Sequence, residues 1–131
     1  MRGCRLLVAA AIAAAAAQAP STSPAEIRQE LEQIKKSRTL AIPQAPGTDN
    51  AGGATLLRVD NPSPFRLVVL IVGPTTERIE IEADRMQTLT IEPGDYEIAV
   101  RVVGRDVPPF YGRQKFEPNR IFRQKFIVPT I

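Results

Sequence analysis

Seven carboxylates, Glu77, Glu80, Glu82, Asp84, Glu92, Asp95 and Glu97, share one short stretch of the chain with only two cations, Arg78 and Arg85. A pair of carboxyls facing each other across a cleft would suit glycoside hydrolysis, and several converging on one point would suit Ca²⁺. The spacing argues otherwise. Glu80 and Glu82 alternate with Ile79 and Ile81, which puts the acids on the solvent side of a strand, where charges belong. No Asp-x-Asp calcium loop occurs. A chain without histidine has no Ser–His or Cys–His nucleophilic pair and lacks the usual zinc ligands. Its only cysteine, Cys4, precedes an N-terminal apolar run. Gly52-Gly53 opens no phosphate-binding helix, and no Walker or Rossmann glycine pattern is present. Asn61-Pro62-Ser63 is disqualified as a glycosylation site by its proline. The expectation is a chain with no catalytic residue, no cofactor and no metal, and hence not an enzyme.

The cations are distributed in the opposite sense. From Ala99 onward there are seven, Arg101, Arg105, Arg113, Lys115, Arg120, Arg123 and Lys125, against Asp106 and Glu117. One reading pairs these basic strands with the acidic ones across a sheet. The other gathers Arg113, Lys115, Arg123 and Lys125 into a basic face framed by Phe110 and Tyr111, which follow Pro108-Pro109 in a loop. Such a face could touch an anionic glycan, lipid headgroups or an acidic partner. These six residues are the candidate partner-binding set, with Phe110 alternatively a core plug.

The elements that must position them read as short strands. Leu56–Val59 places Leu57 and Val59 inward. Phe65–Val72 is apolar on both faces apart from Arg66, which marks a central strand, covered on both sides or covered on one side and wrapped by loops. Arg78–Ala83, Met86–Glu92, Asp95–Val103, Phe110–Phe116 and Ile121–Val128 follow, divided by Gly73-Pro74, Pro93-Gly94, Gly104 to Pro109, and Pro118-Asn119. Seven strands with turn signals at this spacing, and no break able to hold a crossover helix, predict an all-β fold. Its expected form is an antiparallel two-sheet β-sandwich over residues 55–131, with a small barrel as the alternative. In Ile91-Glu-Pro-Gly-Asp-Tyr96, Pro93 and Gly94 suit a type II turn joining two paired strands. The segment Ile91-x-Pro93-Gly94-x-Tyr96-x-Ile98-x-Val100 resembles the turn and following strand of fibronectin type III and other immunoglobulin-like sandwiches, where a tyrosine forms a structural corner. It is also similar to the Leu-x-Pro-Gly-x-Tyr segment of PEGA-type and carboxypeptidase-regulatory-type bacterial modules. The resemblance covers about a tenth of the chain, which lacks the cysteine pair and core tryptophan of true immunoglobulin domains. It implies an immunoglobulin-like fold that binds, spaces or supports, and a structural role for Tyr96.

Ahead of the strands, Met1–Arg5 is basic and Leu6–Ala17 is apolar and alanine-rich, the pattern of a signal peptide cleaved after Ala17. The run is too short for a membrane span. Residues 18–38 should hold a helix from about Pro24 to Ser37. Ser23 and Glu26 form a capping box, Pro24 sits at N1, and Ile27, Leu31 and Ile34 make one apolar stripe. This helix is either a half-ordered stalk or a short partner-docking element. Residues 39–54, rich in Pro and Gly, should be a flexible linker. Loss of the signal removes Arg2 and Arg5 and leaves the chain almost neutral, with 15 basic against 14 acidic residues, a poor match to nucleic acid. The expected function is therefore an exported, non-enzymatic binding or structural module of a bacterial envelope, periplasmic or extracellular, meeting an unknown protein or envelope glycan. The alternative is an inhibitor or accessory subunit of a periplasmic enzyme or envelope complex.

Overall fold

The protein is described by a computed structural model in which residues 23–128 are placed. The expected signal segment and its cleavage site lie outside those residues. Among the described residues, nine strands form two sheets. The five-stranded sheet has the order β1 (Leu40–Ala41), β8 (Phe110–Phe116), β7 (Gly94–Val103), β4 (Arg66–Val72), β5 (Glu77–Ile81). The four-stranded sheet runs β2 (Gly47–Asp49), β9 (Arg120–Lys125), β3 (Leu56–Asn61), β6 (Arg85–Thr90). Period-2 alternation sends Leu57, Val59, Leu89 and Phe122 of one sheet against Leu67, Val69, Ile71, Ile98, Val100 and Phe116 of the other. This shared apolar layer makes the chain an all-β sandwich.

The expectation of uniformly antiparallel strands is corrected. β3 and β9 pair in parallel, as do β1 and β8. Parallel pairing usually calls for a crossover helix. Here the partners are far apart in sequence, so the intervening strands of the opposite sheet supply the return path.

The linker expectation is also corrected. Residues 40–49 cross the side of the sandwich from one sheet to the other, pairing as β1 and then as β2. Ile42 and Ala45 are buried in the core. The polar groups of this strap are met by two glutamines at inward positions. Gln114 donates to the Ala45 carbonyl and accepts from its amide, both at 2.9 Å. Gln124 donates to the Pro43 carbonyl at 2.7 Å. A Cβ at position 112 would collide with Ile42, so Gly112 is what lets the strap lie against β8.

The stretch around Pro93-Gly94 differs from the expected hairpin. β6 and β7 belong to different sheets, so the chain turns a corner between layers. Gly94 sits at φ +145°, and a Cβ there would meet the Pro74 ring at 2.7 Å. Only glycine satisfies both conditions. The corner is held by Tyr96. Its buried hydroxyl donates to the Glu92 carbonyl and accepts from the Thr75 amide at 3.0 Å, and its ring meets Phe116 edge-on. This is the structural role expected of it.

The helix, α1 (Pro24–Lys35), is two residues shorter than its expected end and has the complete capping box. Twelve residues are marginal alone in water. Docking stabilises them: Ile27, Leu31 and Ile34 pack on Val68, Leu70 and Ala99, with Val72 and Tyr111 at the margin. Both readings of this helix, the half-ordered stalk and the partner-docking element, are replaced by a helix docked on the chain's own sheet. The second apolar face of β4 is covered by the chain's own N-terminal helix. Among the described residues no helix is long and apolar enough to cross a membrane.

Candidate functional site

The six candidate residues do not form one surface. Phe110 is 5% exposed and packs edge-on against Phe126 at 5.3 Å between ring centres, so it is the core plug. Arg113 and Lys115 project from the outer face of the five-stranded sheet. Arg123 and Lys125 project from the outer face of the four-stranded sheet, beside Arg58 and Asp60 in register. The cause is the Glu117–Asn119 turn. It carries the chain from β8 in one sheet to β9 in the other, and so turns the two basic pairs in opposite directions. The proposed single basic face is corrected to two separate ones.

What the structure does assemble is a cluster where α1 ends over β7 and β8. Register sets Glu97 of β7 directly opposite Arg113 of β8. Tyr111, two residues earlier on the same side of β8, donates its hydroxyl to the Glu97 carboxylate. Lys35, in the last turn of α1, donates to the same oxygen at 2.9 Å. It also bridges to Glu32 at 3.2 Å and lies 5.7 Å from the centre of the Tyr111 ring. Arg113 completes the set, 3.9 Å from Glu97 and hydrogen-bonded to Tyr111, with a side chain 75% exposed. The Tyr111 hydroxyl, and after it Lys35, holds the Glu97 carboxyl below its ordinary range against the opposing effect of partial burial. Lys35 is held above its ordinary value, first by Glu97 and then by Glu32.

Beside this cluster lies an open groove of about 630 Å³, lined by Val72, Gly73, Asp95, Tyr96, Gln114 and Lys115 together with Glu97 and Arg113. Asp95 and Lys115 face each other in register across β7 and β8. The groove thus presents paired carboxylates and cations over a short apolar floor. That lining can bind a polar, charged chain by hydrogen bonds and ion pairs.

Glu97 and Lys35 were not in the candidate set. Tyr111, Arg113 and Lys115 were; Arg113 and Lys115 line the groove, and Tyr111 belongs to the cluster beside it. Glu97 was readable as an outward residue of its strand. Lys35 carried no such signal, because 62 residues separate it from its partner. The acids weighed for catalysis are dispersed. Glu80 and Glu82 bridge Arg66 at 3.6 and 3.2 Å, whereas Asp95 stands in the groove. Among the described residues no group of three or more His, Cys, Asp or Glu side chains could hold a metal ion.

No protein-family model, curated protein or solved structure matches the chain.

Proposed function

We propose that the chain is an exported, non-enzymatic binding or structural module of a bacterial envelope, and that a protein or an envelope glycan meets it at the groove beside Glu97, Arg113 and Lys115. The observation that carries this reading is the state of Glu97. A general acid working near neutrality needs a carboxyl held above its ordinary range. Glu97 is shifted the other way and already accepts from Tyr111 and Lys35. It organises the surface, and Arg113 and Lys115 remain available to a partner. The N-terminal pattern of a basic start and an apolar run supports export.

On fold, the resemblance around Tyr96 is common to the immunoglobulin-like and PEGA-type comparisons, and the strand order departs from the immunoglobulin one at its start. The immunoglobulin order keeps its first two strands in one sheet. Here the first two long strands, β3 and β4, belong to opposite sheets.

The test is retention of envelope components on the immobilised chain, compared with the double variant Arg113→Ala/Lys115→Ala. The proposal expects a protein or glycan retained by the native chain and at least about tenfold weaker on the variant. Equal retention by both, or none by either, overturns it. An inhibitor or accessory subunit would instead bring down one enzyme in fixed ratio and change its turnover on addition.

A further inference from the structure

Each sheet has two edges, and the four edges are not equally protected. Proteins guard edge strands by keeping them very short, by placing charges along them, or by proline and bulges. β1 has two residues and β2 has three. β5 carries Glu77, Arg78 and Glu80 among its five residues. β6 has none of these safeguards beyond Arg85 at its start. Met86-Gln87-Thr88-Leu89-Thr90 is uncharged, lacks proline and pairs with β3 residue for residue without a bulge. Met86 is 54% exposed, and Gln87, Thr88 and Thr90 are exposed as well.

The hydrogen-bond pattern says which groups face outward. The Ile91 amide donates to the Thr55 carbonyl at 3.0 Å. Bonded and non-bonded pairs alternate along an antiparallel ladder. Leu89, Gln87 and Arg85 therefore bond to β3, whereas Thr90, Thr88 and Met86 direct their N–H and C=O groups away from it.

We propose that β6 is a self-association edge at which a second copy of this chain adds antiparallel to the first, with Thr88 on the two-fold axis. In that register Thr88 faces Thr88, and Met86 faces Thr90 in both directions. All three are residues whose backbone groups point outward, so the ladder continues without a gap. Threonine pairs are favourable cross-strand neighbours. The contact is isologous, as a closed dimer requires. Across residues 85–91 it brings no like charges face to face. Two four-stranded sheets become one continuous sheet, and the exposed Met86 side chains gain neighbours.

Sedimentation of the purified chain over a wide concentration range tests this, together with Thr88→Lys and Thr88→Val. The lysine variant sets two cations against each other on the axis. The valine variant keeps a β-branched residue there. The native chain and Thr88→Val should dimerise alike, and Thr88→Lys should weaken dimerisation by about tenfold or more while its circular dichroism is unchanged. The amides of Met86, Thr88 and Thr90 should exchange more slowly as concentration rises. A chain that stays monomeric at all concentrations overturns the proposal. So does a dimer that Thr88→Lys leaves intact, or an extended peptide that occupies β6 on a monomeric chain. None of these outcomes depends on the groove, which lies on the other sheet.

Discussion

On the five-stranded sheet the outer face is apolar at Val68, Leu70 and Ala99 and is roofed by α1. On the four-stranded sheet the corresponding face carries Arg58, Asp60, Thr88, Arg123 and Lys125, and among the described residues no helix lies over it. Both sheets bury their inner faces in the same core, so the contrast lies outside. An apolar outer face obliges the chain to provide a cover, and the cover brings charges with it. Glu30 of α1 bridges Arg78 and Arg101, and Lys35 bridges Glu97. These ions lie at the margins of an apolar contact, where they add orientation more than stability. A polar outer face needs no cover: Arg123 and Lys125 stay exposed, and Arg58 lies 4.0 Å from Asp60. The covered face owes its ordered charge cluster to the helix; the open face keeps an unguarded edge at β6.

The contrast can be broken most severely by emptying the helix contact. Leu31 is 1% exposed between α1 and the sheet. Leu31→Ala should lower unfolding free energy by about 2–4 kcal/mol, read by denaturant titration. Met86→Ala on the open side should change it by no more than about 0.5 kcal/mol. Equal effects would mean that α1 does not stabilise the fold.

A smaller effect is expected at the corner that serves both sheets. Tyr96→Phe removes a hydroxyl bonded to Glu92 and Thr75, and should cost about 1 kcal/mol, read by denaturant titration. No loss would show that this hydroxyl does not hold the corner.

The pH dependence separates the faces further. Folding holds Glu97 below its ordinary value of 4.5, so the unfolded chain takes up this proton first as pH falls. The resulting stability is complete above about pH 4.5 and is lost as pH falls through the lower folded value. Glu97→Gln should flatten that acid limb of a stability–pH profile.

The smallest effect belongs to the exposed cations. Arg123→Ala should shift stability by no more than about 0.5 kcal/mol, since its side chain is exposed and stands beside Arg58 in register. A larger loss would show that the open face is structurally engaged.

The local elements were largely legible in the sequence, and the reason is geometric. Period-2 alternation identified the strand cores, down to Leu57, Val59, Ile98 and Phe122 facing inward. The capping box and the stripe Ile27-Leu31-Ile34 identified α1. A β4 strand apolar on both sides announced a cover without naming it. The strap at 40–49 was missed because strands of two and three residues carry no periodicity, and its prolines read as linker. Its one available signal lay elsewhere, in Gln114 and Gln124 at inward positions among the apolar inner-face residues Phe110, Phe116 and Phe122. Polar residues there call for a backbone partner.

The sequence alone determined which residues could be buried and where the chain must bend, because each depends on side-chain type and neighbours a few positions away. Only the tertiary structure decided that Arg113 and Lys115 part company with Arg123 and Lys125, that Lys35 meets Glu97, and that β6 ends a sheet unguarded. Those outcomes depend on which sheet each strand joins. Strand partnership is settled by the packing of distant apolar faces, and no local spacing records it.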